Sequence, residues 1–262
     1  EHLMALQAKN ISKIIIVQNK IDLVSKEEAK KNYNDIKEFV RGTVAENSVV
    51  IPCSAQQNIN IDKILKYLAE VEIPSRNLKD EPVFVIARSF DINKPGSKIE
   101  ELKGGVLGGA LKKGKLTEGQ EIEIKPGIMS KRENQIIYET VYTKILGIFK
   151  GKYKVKEALP GGSIALETSL DPIVSKADNL AGCVLGLKNK LPDITRKISI
   201  KFNLFKEAFG LQKKINVENL KSAEMLLLNM NTSITIGTIV RISGNEAELN
   251  LRIPVVAFKG EN

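Results

Sequence analysis

Ile14-Ile15-Ile16-Val17-Gln18-Asn19-Lys20-Ile21-Asp22 is the stretch that decides the fold, because an unbroken apolar run passes directly into a polar loop. A short continuous apolar run is typical of a strand that is buried on both faces of a parallel sheet. In doubly wound α/β domains, the loops that bind ligands follow the carboxyl ends of such strands. Residues 19–22 are therefore predicted to form a ligand-binding loop of an α/β domain.

The tetrapeptide Asn19-Lys20-Ile21-Asp22 has the residue types that recognise a guanine base. The Asp22 carboxylate can accept two hydrogen bonds at once, from the N1–H and the exocyclic amino group of guanine. Adenine lacks this pair of donors, and leaving a buried acceptor unpaired costs at least about 1–3 kcal/mol. Asn19 can bind the edge of the base, while the aliphatic stem of Lys20 can lie along the purine face. Taken alone, the pattern could also be an ordinary strand-to-helix loop.

A second loop of this kind follows the next apolar run, Val49-Val50-Ile51-Pro52. It begins Cys53-Ser54-Ala55-Gln56, and the small Ser-Ala pair lets backbone N–H groups approach the carbonyl oxygen of guanine. Two loops in this order, each after a strand and separated by one helix, favour a GTP-binding domain. The residues expected to contact GTP or GDP are Asn19, Lys20, Asp22, Ser54, Ala55 and Gln56.

Two amphipathic helices are predicted beside these strands. The first begins at a capping box formed by Ser25 and Glu28, and it ends before Gly42. The second starts near Asn60 and is expected to bury Ile61, Ile64, Leu65, Leu68 and Val71. Strand, loop and helix, repeated once, form the second half of a doubly wound GTPase domain.

The phosphate-binding motif G-x-x-x-x-G-K-[S/T] does not occur in the sequence. We therefore expect the chain to be a fragment without the first half of the GTPase domain. No catalytic residue and no metal ligand is predicted, and hydrolysis of GTP with its Mg²⁺ is expected only in the full-length protein.

The charge of the chain favours a polyanionic partner such as RNA, since 40 Lys and Arg residues face 31 Asp and Glu residues, a net charge of +9. A modest excess of this kind is also compatible with many other proteins. Cys53 and Cys183 match no metal-binding spacing and are expected to be reduced. The sequence contains no signal peptide and no apolar run of about 18 residues, so we expect a cytoplasmic protein without membrane contact.

After residue 73 the pattern changes from helices to strands, following a polar, proline-bounded linker at residues 73–82. Strands are predicted at residues 83–90, 107–111, 121–125, 139–149, 163–167 and 183–187. Ile122 and Ile124 alternate with charged residues, and turn signals such as Pro126-Gly127 fall between the strands. Many short strands at such spacing indicate a closed β-barrel.

A second break at residues 188–193 precedes a second barrel. Its clearest strand alternates Ala247, Leu249, Leu251 and Ile253 with polar residues. The predicted fold class is an α/β remnant of a P-loop GTPase domain followed by two β-barrel domains, mostly β overall. The predicted boundaries are residues 1–78 for the remnant, 79–192 for the first barrel and 193–262 for the second, C-terminally truncated barrel.

This layout resembles the translational GTPases that carry aminoacyl-tRNA, and within them the family of gamma subunits of eukaryotic and archaeal translation initiation factor 2. The likeness covers essentially the whole chain. It is carried by the segments QNKIDLV at residues 18–24, GTVAE at 42–46, RSFDINKPG at 88–96, LKGGVLGG at 102–109 and GQEIEIKPGI at 119–128. Gln56 stands where elongation factor Tu has a Leu.

The resemblance implies the core subunit of a heterotrimer that binds an alpha subunit through the first barrel and a beta subunit through the GTPase domain. In its GTP state such a factor delivers initiator methionyl-tRNA to the small ribosomal subunit. Guanine nucleotide exchange factors and GTPase-activating factors are further implied partners. An elongation- or selenocysteine-type GTPase that carries aminoacyl-tRNA is the alternative.

Glycines at residues 104–105 and 108–109 of the first barrel have two interpretations. They can be positions where two backbone segments approach closely, or they can keep a surface small so that an RNA end or a partner strand docks there. Arg88, Lys94 and Lys103 flank these glycines. Their side chains could contact RNA phosphates, or they could be solvated charges at the rim.

Overall fold

The computed structural model describes residues 2–9, 11, 13–133, 135–205, 207–208 and 215–261. The chain divides into two compact units. The first unit comprises the described part of residues 1–74 with the short strands at 207–208 and 215–216, and the second comprises Ser75–Phe205 and Val217–Glu261. The predicted first barrel lies in the second unit, as does the predicted second barrel apart from the strands at 207–208 and 215–216. The boundaries at residues 78 and 192 stay a prediction.

The N-terminal part of the first unit contains two parallel strands, the helix that connects them, one helix before them and one after them. Its elements are α1 His2–Ala8, β1 Ile15–Gln18, α2 Lys26–Phe39, β2 Val49–Pro52 and α3 Ile61–Glu70. The capping box is confirmed, because Ser25 Oγ accepts from the Glu28 N–H at 3.2 Å and the Glu28 carboxylate accepts from the Ser25 N–H at 2.9 Å. The backbone bond from Ser25 holds the pKa of Glu28 below its usual value.

The prediction for the buried face of α3 is partly wrong. Leu65 and Leu68 are 61% and 55% exposed, whereas Ile61, Ile64 and Val71 are half-buried. Within the described residues, the parallel sheet of this unit contains only β1 and β2. Two strands can cover only a narrow stripe of a helix, and the leucines lie beside that stripe.

The second unit begins with a closed β-barrel, which confirms the predicted fold class. Its strands are β3 Val83–Phe90, β4 Val106–Lys113, β5 Leu116–Thr117, β6 Glu121–Arg132, β7 Gln135–Lys150, β8 Tyr153–Val155, β9 Glu157–Ala158, β10 Ile164–Thr168 and β11 Val184–Leu187, with the short helix α4 at Pro172–Ser175. The ring runs β10-β4-β3-β11-β6-β7 and closes because β7 also pairs with β10. Apolar side chains such as Phe84, Leu107 and Ile148 fill its interior.

The turn expected at Pro126-Gly127 is not present, because β6 continues through these residues to Arg132. The register between β6 and β7 shifts between Ile124 and Ile128, which marks a bulge. Gly127 has a φ of 87°, and a Cβ placed there would lie 1.9 Å from the Glu139 carbonyl oxygen. Glycine therefore serves here to bend a long strand rather than to end it.

Of the six remaining strands among the described residues, four form an antiparallel sheet, and β13 and β14 pair only with each other. The sequence continues with β12 Ile194–Lys201, β13 Glu207–Ala208, β14 Ile215–Asn216, β15 Met225–Met230, β16 Ser233–Ser243 and β17 Glu246–Val256. The sheet has the order β12-β17-β16-β15, and no pairing joins β15 to β12 in the described part of the chain. The predicted alternation is confirmed for Ala247, Leu249 and Leu251, which are buried on one face.

Both cysteines are free and buried. Burial raises the pKa of the Cys183 thiol to about 11, so this side chain is a poor nucleophile at neutral pH. As for membranes, no helix among the described residues is both long enough and apolar enough to span one.

A buried ion pair fastens the segment between the barrel and the four-stranded sheet. Glu123 alternates along β6 with the buried Ile122 and Ile124, a pattern that predicts an exposed Glu123 side chain. The side chain is nevertheless fully buried. Its Oε1 atom accepts from the backbone N–H groups of Lys190 at 3.0 Å and Leu191 at 2.7 Å. Lys125 Nζ lies 3.6 Å from Glu123 Oε2 and donates to the carbonyl oxygens of Leu191 and Pro192. The two side chains thus hold this segment by its main chain.

We predict that Glu123→Ala destabilises the barrel by about 3 kcal/mol, because Lys125 and two backbone N–H groups lose their buried partner. Hydrogen exchange of barrel amides, followed by mass spectrometry, should accelerate roughly a hundredfold. Glu121→Ala is the matched control, since Glu121 is on the same strand but forms an exposed pair with Lys188. Equal exchange in both variants would contradict the role of Glu123.

Candidate nucleotide-binding site

The two predicted base-binding loops leave the same edge of the parallel sheet. Gln18 pairs with Pro52 at the ends of β1 and β2, so Asn19 and Cys53 start their loops side by side. The Cys53 N–H donates to the Gln18 carbonyl at 2.8 Å, and the Ile21 N–H donates to the Cys53 carbonyl at 3.2 Å. Parallel pairing therefore brings together two loops that are more than thirty residues apart in the chain.

Asn19 joins the first loop to the second. Its Oδ1 atom accepts a hydrogen bond from the Ala55 N–H at 3.1 Å and faces the Cys53 thiol at 3.7 Å. This bond fixes the tip of the second loop against the start of the first. The structure thus brings Asn19 and Ala55 together, as expected for loops that share one ligand.

Lys20 and Asp22 lie in a single tight turn. Lys20 has a left-handed backbone with a φ of 65°, and a 3₁₀ turn follows at Ile21–Leu23. Both side chains are exposed, and neither makes a hydrogen bond or an ion pair within the described residues. Both oxygens of the Asp22 carboxylate can therefore accept hydrogen bonds from a ligand.

The second loop is closed by its own hydrogen bonds. Ser54 and Ile59 exchange backbone bonds of 3.2 Å and 2.9 Å, and the buried Ser54 hydroxyl accepts from the Gln57 N–H at 3.1 Å. Ala55 and Gln56 are exposed at the tip. Of the residues predicted in this loop, Ser54 thus shapes the loop, while Ala55 and Gln56 present the surface that a ligand can meet.

Gln18 is a supporting residue that the sequence analysis does not assign. It is only 7% exposed, and its Nε2 atom donates to the Ala29 carbonyl at 2.8 Å and to Asn32 Oδ1 at 2.9 Å. These bonds tie the end of β1 to α2 directly before the Asn19 loop. In the sequence, the only signal of this role is the position of Gln18 between an apolar run and a polar loop. That position does not identify its partners on α2.

We predict that Asn19→Ala loosens the second loop, because the Ala55 N–H loses its acceptor. A net loss of about 0.5–1.5 kcal/mol corresponds to roughly threefold to tenfold faster exchange of the Ala55 amide proton, measured by NMR. Gln56→Ala is the control, because the exposed Gln56 side chain makes no contact of this kind. Unchanged exchange at Ala55 in Asn19→Ala would rule out the link between the loops.

Among the three cations predicted near the first barrel's glycines, Arg88 is already paired. Its Nε atom lies 3.0 Å from each carboxylate oxygen of Asp178. The hydrogen bond from Arg88, followed by that from the Ser89 N–H, lowers the pKa of Asp178. Lys94 and Lys103 are exposed and unpaired within the described residues. Arg88 is thus less available to phosphate than its sequence position suggests.

Close packing accounts for three of the four glycines, through backbone atoms at Gly104 and Gly109 and through a side chain at Gly105. A Cβ at Gly104 would lie 1.8 Å from the Thr168 carbonyl oxygen, one at Gly105 would lie 2.2 Å from Ser175 Oγ, and one at Gly109 would lie 2.0 Å from the Val85 carbonyl oxygen. Only Gly108 has ordinary space for a side chain. The packing interpretation therefore explains these positions without a docked partner.

Known proteins match this chain along its whole length. Residues 1–74 match the family described as elongation factor Tu GTP binding domain, and residues 196–262 match initiation factor eIF2 gamma, C terminal. Proteins named translation initiation factor 2 subunit gamma are 47% identical in Methanococcus maripaludis strain S2 and 45% identical in both Methanocaldococcus jannaschii and Pyrococcus furiosus. The chain belongs to the translation initiation factor 2 gamma family. Each of these alignments covers 100% of the chain and 64% of the relative.

Solved structures share the fold of this gamma-family chain. A bacterial selenocysteine-specific elongation factor, EF-Sec, matches with a TM-score of 0.76 and 19% identity, over 100% of this chain and 38% of that protein. The elongation factor SelB from Methanococcus maripaludis in its apo form gives a TM-score of 0.72 and 24% identity, over 100% of this chain and 54% of SelB. At these identities the likeness establishes a common fold and nothing more.

Proposed function

We propose that this gamma-family chain is part of an initiation factor that binds GTP and delivers initiator methionyl-tRNA to the small ribosomal subunit in the cytoplasm. The observation that carries the proposal is the pair of adjoining loops, joined by the Asn19–Ala55 hydrogen bond. The relatives named translation initiation factor 2 subunit gamma, at 45–47% identity, support the assignment to initiation. A SelB structure described as a complex with the GTP analogue GppNHp supports a guanine nucleotide as the ligand.

In this proposal each loop residue has a separate part in recognising guanine. The free Asp22 carboxylate accepts from the N1–H and the amino group of the base, and the stem of Lys20 covers one face. The Ala55–Gln56 tip lies towards the carbonyl oxygen of guanine, while Asn19 and Ser54 keep the loops in place. The geometry that supports these roles is the exposure of Asp22 and Lys20 beside a loop whose own hydrogen bonds are complete.

The base-specificity test uses a protein of the relatives' full length, because this sequence has no phosphate-binding motif. Asp22→Asn should weaken GDP binding by about tenfold to a hundredfold, since an amide offers one acceptor and one donor to the two donors of guanine. Xanthosine diphosphate presents a donor and an acceptor and should become the preferred ligand. Isothermal titration calorimetry with both nucleotides measures whether the variant binds xanthosine diphosphate more tightly than GDP.

Asp35→Asn is the control for that titration, because Asp35 is an exposed aspartate on α2 away from the loops. It should bind GDP as the unsubstituted protein does. Retention of the GDP preference in Asp22→Asn would remove Asp22 from the site.

We also propose that the domain boundaries lie near residues 78 and 192, that the first barrel binds an alpha subunit and that the GTPase domain binds a beta subunit. The barrel ring is contained within residues 83–187. The Glu123–Lys125 pair and the main chain that it holds lie within residues 123–192. The resemblance to heterotrimeric initiation factors supports the two partners. Exchange factors and GTPase-activating factors are proposed on the same basis.

We predict that residues 79–192 alone fold and capture a purified alpha subunit in a pull-down. The reason is that all strands of the ring, and the buried Glu123–Lys125 ion pair, lie within this segment. Residues 79–180 are the control, since they lack β11 and cannot close the ring. Circular dichroism establishes folding, and a folded 79–192 segment that fails to bind alpha would place the contact elsewhere.

An elongation- or selenocysteine-type factor is the less favoured function. The matches to EF-Sec and SelB are only 19% and 24% identical, whereas the gamma-subunit relatives are 45–47% identical over the whole chain. The shared fold accounts for the likeness to EF-Sec and SelB. The higher identity to the gamma subunits supports a function in initiation.

A further inference from the structure

The hairpin that joins β7 to β8 carries a concentrated positive charge. Residues 150–156, referred to here as the basic hairpin, read KGKYKVK and contain lysines at positions 150, 152, 154 and 156 but no acidic residue. All four lysines are exposed. Only Lys154 is neutralised, by Glu118 at 2.9 Å, and the other three form no ion pair within the described residues. Three lysines without an ion-pair partner thus lie within seven residues, at the end of β7, in the turn and directly after β8.

An exposed aromatic ring lies among these cations. Tyr153 is 66% exposed, and Lys152 Nζ lies 5.4 Å from the centre of its ring. Aromatic rings next to basic groups are typical of surfaces that bind nucleic acid, because every base has a face on which a ring can stack. Because tyrosine is also enriched at protein and membrane interfaces, RNA is favoured here by the ring together with the proposed function, and vesicles serve as a comparison in the test.

A glycine loop adds backbone donors beside the basic hairpin. Gly161 and Gly162 have φ values of 119° and 74°, and their N–H groups donate no hydrogen bond within the described residues. The two segments are neighbours, since a Cβ at Gly162 would lie 3.8 Å from Lys150 Cε. Free backbone N–H groups and lysines are the groups that contact phosphate oxygens in nucleic-acid complexes.

The region in which the sequence analysis places candidate RNA contacts has a different charge balance. The loop at residues 91–103 contains Lys94, Lys98 and Lys103, together with Asp91, Glu100 and Glu101, so its formal charge is zero. Arg88 beside it is paired with Asp178. The basic hairpin therefore carries a higher formal positive charge than this loop.

We propose that the basic hairpin, with the Gly161–Gly162 loop, binds the phosphate backbone of RNA. The proposal rests on the proposed function, which requires contact with tRNA and with the small ribosomal subunit, and it assigns that contact to particular residues. Lys150, Lys152 and Lys156 neutralise phosphates, and Tyr153 stacks on a neighbouring base. The shared chemistry is an RNA backbone, whether it belongs to tRNA or to ribosomal RNA.

The test measures how the RNA affinity of the 262-residue chain depends on salt. The variant Lys150→Gln/Lys152→Gln/Lys156→Gln removes the three free charges. Lys26→Gln/Lys30→Gln/Lys31→Gln is the matched control, since these exposed lysines of α2 form no ion pair within the described residues. The probes are a fluorescein-labelled initiator tRNA transcript and, in separate titrations, purified small ribosomal subunits. Each phosphate contact contributes about 0.7–0.9 to the slope of log K against log salt, so the hairpin variant should lower the slope by roughly 2. The control should leave it unchanged.

A third variant, Lys150→Arg/Lys152→Arg/Lys156→Arg, keeps the charge and should keep the slope. Loss of slope with only one of the two probes would identify which RNA the hairpin meets, and in either case would support the proposal. An unchanged slope in the Gln hairpin variant, or an equal loss in the control, would overturn it while leaving tRNA carriage intact. A flat salt response of the unsubstituted chain would overturn it and also count against tRNA carriage. Hairpin-dependent binding to phosphatidylserine vesicles but not to either RNA would overturn it in favour of a membrane surface.

Discussion

Each strand of the barrel ring must form hydrogen bonds along both of its edges, and β7 supplies such an edge to three other strands. Along its 16 residues it pairs with β6, β8 and β10. Its pairing with β10 turns a row of strands into a ring, which removes the open edges of those strands. The buried cluster around Ile148 exists only inside that ring. Pairing of β7 is therefore the condition on which the rest of the unit depends.

Other parts of the second unit are positioned by this closure. The end of β7 turns into β8 and so directs the lysine-rich turn away from the barrel interior. On the opposite side, β6 carries Glu123 and Lys125 to the segment that leads into the four-stranded sheet. A change in the register of β6 would move both side chains, since alternate residues of a strand face opposite sides.

Much of this architecture follows from local patterns in the sequence. The apolar run before Asn19, the capping box at Ser25 and the alternation after Asn245 each specify a secondary structure element through neighbouring residues alone. The features that could not be predicted depend on residues far apart in the chain. Gln18 bonds to a helix that follows it, and Glu123 is buried because the segment at residues 190–191 folds back over β6. Periodicity records which face a side chain occupies, but not what covers that face.

The loop between Ser54 and Ile59 is ordered by hydrogen bonds that do not involve any ligand. A molecule that meets Ala55 and Gln56 would therefore immobilise few additional backbone torsions. The conformational entropy of this loop is lost during folding rather than on association, which is the meaning of preorganisation. Differences in affinity between related ligands should then appear chiefly in how long each one stays bound.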